Sequence, residues 1–161
     1  MRPADHRPHP DDAEIHVGAL IAAHVRLGRS VAVVDATRGE IASRGTPDQR
    51  ARGAAAAADM LGLCARDQLG LPDGGVPADD PVAPTLLVPA SEDDWRRKLP
   101  AVRCYGSQLA GGDGPATSLS DPAFLAWIEA RGRAWGFQAG TPYAETLCGP
   151  EAARIGVLTE I

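Results

Sequence analysis

Between Asp11 and Leu27 the apolar residues Ile15, Leu20, Ile21, Ala23, Val25 and Leu27 recur at spacings that build one broad helical face. Asp11 and Asp12 put negative charge where a helix N-terminus favours it, and Gly28 ends the run, so a helix is predicted over Asp11 to Leu27. The period then changes. Ser30 to Ala36, SVAVVDA, is a continuous β-branched run of the kind that marks a strand buried on both faces of a parallel sheet. Thr46 followed by Pro47 signals a capped helix that runs through an alanine-rich stretch to Leu61, and a second α/β unit follows at Asp67 to Leu71. From Leu71 to Pro84 the sequence LPDGGVPADDPVAP is dense in proline, glycine and aspartate and reads as a loop or junction. Beyond it, a strand is expected over Thr85 to Val88, a helix over Glu92 to Tyr105 despite Pro100, and a helix over Asp121 to Trp135 capped by Ser120 or Asp121. Helices and strands alternating in this way make an α/β domain, and no internal repeat is present.

Composition narrows the function more than the fold. The 161 residues, 44% hydrophobic and 23% charged, suit one globular domain. A net charge of -5 without a basic run argues against nucleic acid or an anionic membrane as partner and favours a small neutral or cationic substrate. A homo-oligomer is left open. Residues Met1 to Pro10 hold three prolines and no apolar core of a secretory signal, so the expected location is cytoplasmic. Cys64, Cys104 and Cys148 lack CxxC spacing and are read as small apolar residues rather than as a disulfide or zinc framework.

The chemistry concentrates in His9-Pro10-Asp11-Asp12, set just before the first helix. An imidazole and a carboxylate three residues apart across a helix N-terminus can turn toward one metal ion, leaving Asp11 outside to take a proton from a bound water. The ordinary alternative is an aspartate that caps the helix and a histidine in solvent.

The order of blocks carries further information. HPDDAEI, VAVVDATRGEIASRGTPDQR, LGLPDGG, VRCYGSQ, IEARGRAWG and GTPYAE follow one another in a way that resembles the LmbE-like, or PIG-L, zinc-dependent N-deacetylases, from His9 to about Leu158. The nearest type is the bacillithiol-biosynthesis deacetylase, which acts on N-acetylglucosaminyl malate, with the mycothiol deacetylase as its relative. The resemblance implies a Rossmann-like parallel sheet sandwiched by helices, zinc bound by His9 and Asp12, and Asp11 as general base. It also implies substrate contacts at Arg50, shortly after the GT dipeptide, and at Asp73 of the LPDGG block, with an N-acetylglucosaminide as substrate. Arg50 as a solvated helix residue and Asp73 as a turn former are the competing readings. Tyr143 and Glu145 are expected as structural lining near the site, whereas Arg131 and Trp135 only carry the match.

The chain departs from that family in two places. Its four histidines, His6, His9, His16 and His24, all lie in the first 24 residues, so the family's second motif, an HPDH that completes the zinc site, is missing at the junction over residues 76–84. An apolar strand expected before the first motif is replaced by MRPADHRP, whose prolines do not suit a central strand, and residues 1–8 are expected to be disordered. Two inner strands of the sheet are therefore expected to be absent. His16, four residues after Asp12, and Asp79 or Asp80 are the only replacement ligands in view, each with an ordinary alternative as a solvated polar side chain. The rival to an enzyme is a catalytically impaired remnant or a sugar-binding relative that keeps half of the pocket through Arg50 and Asp73.

Overall fold

A computed structural model of the protein describes residues 9–73 and 86–147. Its elements are α1 (Asp12–Arg26), β1 (Ala32–Asp35), α2 (Pro47–Leu61), β2 (Ala65–Gln68), β3 (Leu86–Ala90), α3 (Glu92–Arg103), α4 (Phe124–Ala139) and β4 (Tyr143–Leu147). The α/β architecture agrees with the sequence, and β1 pairs in parallel with β2, Ala32 opposite Ala65 through Asp35 opposite Gln68. A second pair has no counterpart in the sequence pattern: β3 and β4 run antiparallel, with Val88 opposite Glu145.

Local signals set several boundaries. Thr46 Oγ1 accepts the Gln49 N–H while the Gln49 side chain accepts the Thr46 N–H, a reciprocal capping box that fixes the start of α2 at Pro47. Ser91 Oγ accepts the Asp94 N–H and begins α3, which continues through Pro100. The last helix starts later than the sequence suggests. Asp121 spends its carboxylate on the Ala123 N–H in a preceding turn, so α4 begins at Phe124 without a side-chain cap and runs on to Ala139.

α1 is interrupted at Val17 (φ -128°, ψ 19°). The interruption is filled from outside: Glu145 accepts the N–H groups of Ala19 (3.0 Å) and Leu20 (2.7 Å), and Arg131 Nη2 donates to the Ile15 carbonyl (2.9 Å). Lys98 Nζ lies 2.6 Å from Glu145, enclosed with it. A buried carboxylate is tolerable only when its charge and lone pairs are met, and here both are. Burial draws the Lys98 ammonium below its usual range, against the pull of Glu145.

The core has two adjoining clusters. Ile15, Ala19, Ala90, Trp95, Val102, Phe124, Ile128 and Tyr143 form one, with the Trp95 and Tyr143 rings stacked at 4.5 Å. Ile21, Ala22, Ala54, Ala57, Leu61, Ala101 and Tyr105 form the other, so α1 and α3 serve both.

Two expectations need correction. The SVAVVDA run yields only the four-residue β1, with Ala32 and Val34 exposed, rather than a strand buried on both faces. A β-branched run specifies extended backbone, but which faces are covered depends on neighbours, and among the described residues β1 pairs on one edge only. Tyr143 and Glu145 are core and helix-bracing residues, apart from the cavity described below. Residues 1–8, the 76–84 junction with Asp79 and Asp80, the first residue of the strand expected from Thr85, and Cys148 lie outside the described residues.

Candidate active site

The motif residues 9–12 sit at the start of α1 because their backbone is gripped by two side chains from elsewhere in the chain. Tyr105 Oη and Arg66 Nη2 both donate to the Pro10 carbonyl, and Pro10 is fully buried. Arg66 also donates to both oxygens of Asp35 (2.8 and 2.9 Å) and pairs with Glu14, while Tyr105 Oη lies 3.2 Å from Glu14 Oε2. Thus β2 and the segment just after α3 meet on one carbonyl, that of the residue between His9 and Asp11, while Glu14 of α1 and Asp35 of β1 hold the two donors in place. Burial raises the Glu14 carboxyl despite Arg66, and burial beside Glu14 raises the Tyr105 phenol. The guanidinium of Arg66, although burial opposes its charge, is held protonated more firmly than usual by Asp35 and Glu14.

The anchored motif opens onto a cavity of about 970 Å³ whose lining includes His9, Asp11, Asp12, Arg50 and Gln108. Asp12 Oδ2 turns back to accept the His9 N–H at 2.7 Å. Burial and the neighbouring Asp11 raise the Asp12 carboxyl to about 7. Asp11 makes no side-chain cap to the helix; its Oδ1 stands 3.8 Å from Arg50 Nη1, with both side chains 5% exposed. The capping alternative for Asp11 therefore fails, and so does that of a solvated Arg50.

Arg50 reaches this position from the first turn of α2 and donates through Nη2 to Gln108 Oε1. Gln108 in turn donates to the Arg44 carbonyl (2.7 Å). Gly39 makes room: at φ +68° it adopts a left-handed conformation, and a Cβ there would lie 2.9 Å from Arg50 Cδ. The Arg50 Nε and Nη1 atoms are buried and have no hydrogen-bond partner among the described residues. Asp73 is beside His9, its Oδ1 3.4 Å from Nε2, enclosed and without a hydrogen bond among the described residues, while Oδ2 accepts the Ile41 N–H (3.0 Å). Asp73 thus meets the motif, and its second carboxylate oxygen ties it to the loop at Ile41, 32 residues away, rather than to its own turn.

The donor set does not fit a zinc site of the usual kind. A catalytic zinc takes three protein donors and a water. His9 and Asp12 supply two, one Asp12 oxygen already accepts a backbone N–H, and no group of three histidine, cysteine or acidic residues stands ready to hold a metal among the described residues. His16 is exposed on the cavity lining, one turn beyond Asp12 and just before the break in α1.

Sequence reasoning passed over Gln108, Tyr105, Arg66 and Glu14, although VRCYGSQ contains two of them. Arg131, read only as part of a matching block, lines the cavity, whereas Trp135 is not among the lining residues. A buried arginine is recognisable from sequence only when its partners are known to be near, and these come from positions 31 to 58 residues away.

The profile of the PIG-L family, described as GlcNAc-PI de-N-acetylase, matches residues 7–102. Among solved structures the chain is similar to the conserved protein TT1542 from Thermus thermophilus, with 25% identity and a TM-score of 0.76 over 92% of this chain and 94% of that one. It also shares its fold with the N,N'-diacetylchitobiose deacetylase from Pyrococcus horikoshii (15% identity, TM-score 0.67, 86% of this chain and 79% of the other). The A40926 pseudoaglycone deacetylase Dbv21 gives 18% identity and a TM-score of 0.62 over 86% and 92%.

Proposed function

The chain belongs to the PIG-L, GlcNAc-PI de-N-acetylase, family, and from that premise we propose that it binds an N-acetylated amino sugar and hydrolyses the acetamide, slowly in the form seen here. One observation carries the reading: Arg50 and Asp11 face each other inside the cavity, and two nitrogens of Arg50, one of them the Nη1 that stands 3.8 Å from Asp11, have no hydrogen-bond partner among the described residues. A buried N–H left without an acceptor costs about 1–3 kcal/mol, which a ligand oxygen would recover. Arg50 in this reading orients a substrate oxygen, and Asp73 next to His9 contacts the sugar. The Asp11 carboxylate takes a proton from water as the water oxygen bonds to the acetamide carbon. The C–N bond then breaks, acetate leaves, and the sugar amine carries away a proton.

Zinc dependence is supported by the sequence resemblance through His9 and Asp12. Those two donors fall short of a catalytic set, and weak turnover is the consequence. Removing a metal ligand outright costs more than the roughly 10- to 100-fold typical of an outer-shell partner. N-acetylglucosaminyl malate, the bacillithiol-type substrate, is the first compound to try. Acetate release should be slow in the parent and absent in Asp11→Asn. Equal release by the two proteins would remove Asp11 from the role of base, and efficient release by the parent would show that the site is complete.

A further inference from the structure

The cavity is larger and more apolar than an acetamido sugar requires. At about 970 Å³ it stands at the upper end of the roughly 300–1,000 Å³ that serves drug-sized ligands. Beside the His9, Asp11 and Arg50 group its lining includes Ile15, Leu119, Phe124 and Trp127, with Asp121 and Arg131 as the charged side chains next to them. Trp127 is 51% exposed, an unusual state for a large indole at a cavity wall unless something covers it.

This indole is also held in place. The Arg131 guanidinium lies over its ring at 4.5 Å and the Phe124 ring stacks on it at 5.9 Å. Arg131 is itself anchored on the Ile15 carbonyl, and the Ile15 N–H bonds to the Asp11 carbonyl at 3.1 Å. The apolar wall is thus mechanically continuous with the residue proposed as base, and its rigidity spares a ligand the ordering cost of binding.

Resting on the deacetylase reading above, we propose that this wall is the aglycone subsite and that Trp127 sets specificity for a sugar bearing an uncharged apolar aglycone, aromatic or alkyl. An anionic aglycone such as malate fits poorly. Arg131, a cation on this wall, already has its charge drawn toward the buried Glu145 besides its bond to Ile15 and its place over Trp127, and the Asp121 carboxylate on the same lining repels another negative charge.

The test is calorimetric binding to the full chain of three probes: N-acetylglucosamine, phenyl N-acetyl-β-glucosaminide and N-acetylglucosaminyl malate. The phenyl glycoside should bind at least tenfold more tightly than the other two. Trp127→Ala should bring the phenyl glycoside and the free sugar to the same affinity, and Trp127→Phe should keep most of the difference. Equal affinities in the parent, tightest binding of the malate glycoside, or a phenyl preference that survives Trp127→Ala would each overturn the aglycone subsite while leaving sugar binding intact. Failure of all three probes to bind, unchanged by Arg50→Ala, would overturn the deacetylase reading together with the subsite.

Discussion

The most consequential single residue outside the motif is Arg66. It satisfies two buried carboxylates and the Pro10 carbonyl at once, so its loss strands Glu14 and Asp35 in an enclosed space. Arg66→Met should cost about 3–5 kcal/mol in urea unfolding, the range found when one partner of a buried pair is removed. Tyr105→Phe leaves Arg66 on the same carbonyl and should cost only about 1 kcal/mol. A loss for Tyr105→Phe as large as for Arg66→Met would mean that the phenol, not the guanidinium, holds the motif. A second residue gives a pH signature. Asp94 is buried, which alone would raise its carboxyl, but the hydrogen bonds from Arg26 and Ser91 prevail and hold it below its usual value. With the folded pKa depressed, the unfolded chain binds the extra proton near pH 4, so this contribution is fully present above that pH and disappears as the pH falls through the folded value. Arg26→Ala should therefore weaken the protein most at neutral pH, and its denaturation midpoint should converge on the parent's as the pH falls through the depressed folded value. A gap that stays constant from neutral pH into the acid range would assign the effect of Arg26 to packing instead.

At the scale of elements, the contact between α4 and α3 depends on an absent side chain. A Cβ on Gly132 would lie 2.1 Å from the Trp95 ring, which is itself locked between Tyr143 and a hydrogen bond to Glu129 (2.7 Å). Gly132→Ala should accordingly destabilise by about 1–3 kcal/mol through overpacking, although alanine is the better helix former. A neutral or stabilising result in urea unfolding would show that α4 can shift away from Trp95. The distribution of burial makes a further prediction about dynamics. α1, α3 and β4 hold Ala19, Ala22, Ala101, Val102 and Ala144 at no more than 2% exposure, whereas β1 exposes Val34 at 57%. Amide exchange should be slowest in α1 and α3 and distinctly faster over residues 32–35. Protection of β1 matching that of α3 would imply that its open edge and face are covered in solution.

Over the whole molecule, the placement of donors leads to an expectation for metal content. With His9 and Asp12 as the only ligands that the resemblance supplies, protein dialysed against metal-free buffer should retain well under one zinc per chain, and a retained equivalent would require a third donor beyond those named. No helix among the described residues is long and apolar enough to cross a membrane. Much of this was legible in the residues alone. Thr46, Pro47 and Gln49 dictate the start of α2 because a cap is a contact within four residues, and the HPDD string announces its chemistry because the groups are adjacent in the chain. The absence of any histidine after His24 likewise needs no coordinates. What only the tertiary structure decided are relations across long separations: that Arg50 is buried against Asp11, that Asp73 returns to His9, that Glu145 repairs the break in α1 from 125 and 126 residues away, and that Trp127 walls the cavity. Whether β1 is buried belonged to this second kind. A β-branched run fixes how the backbone extends through local sterics, while burial is set by which elements come to lie on each face, and that depends on the packing of the entire chain.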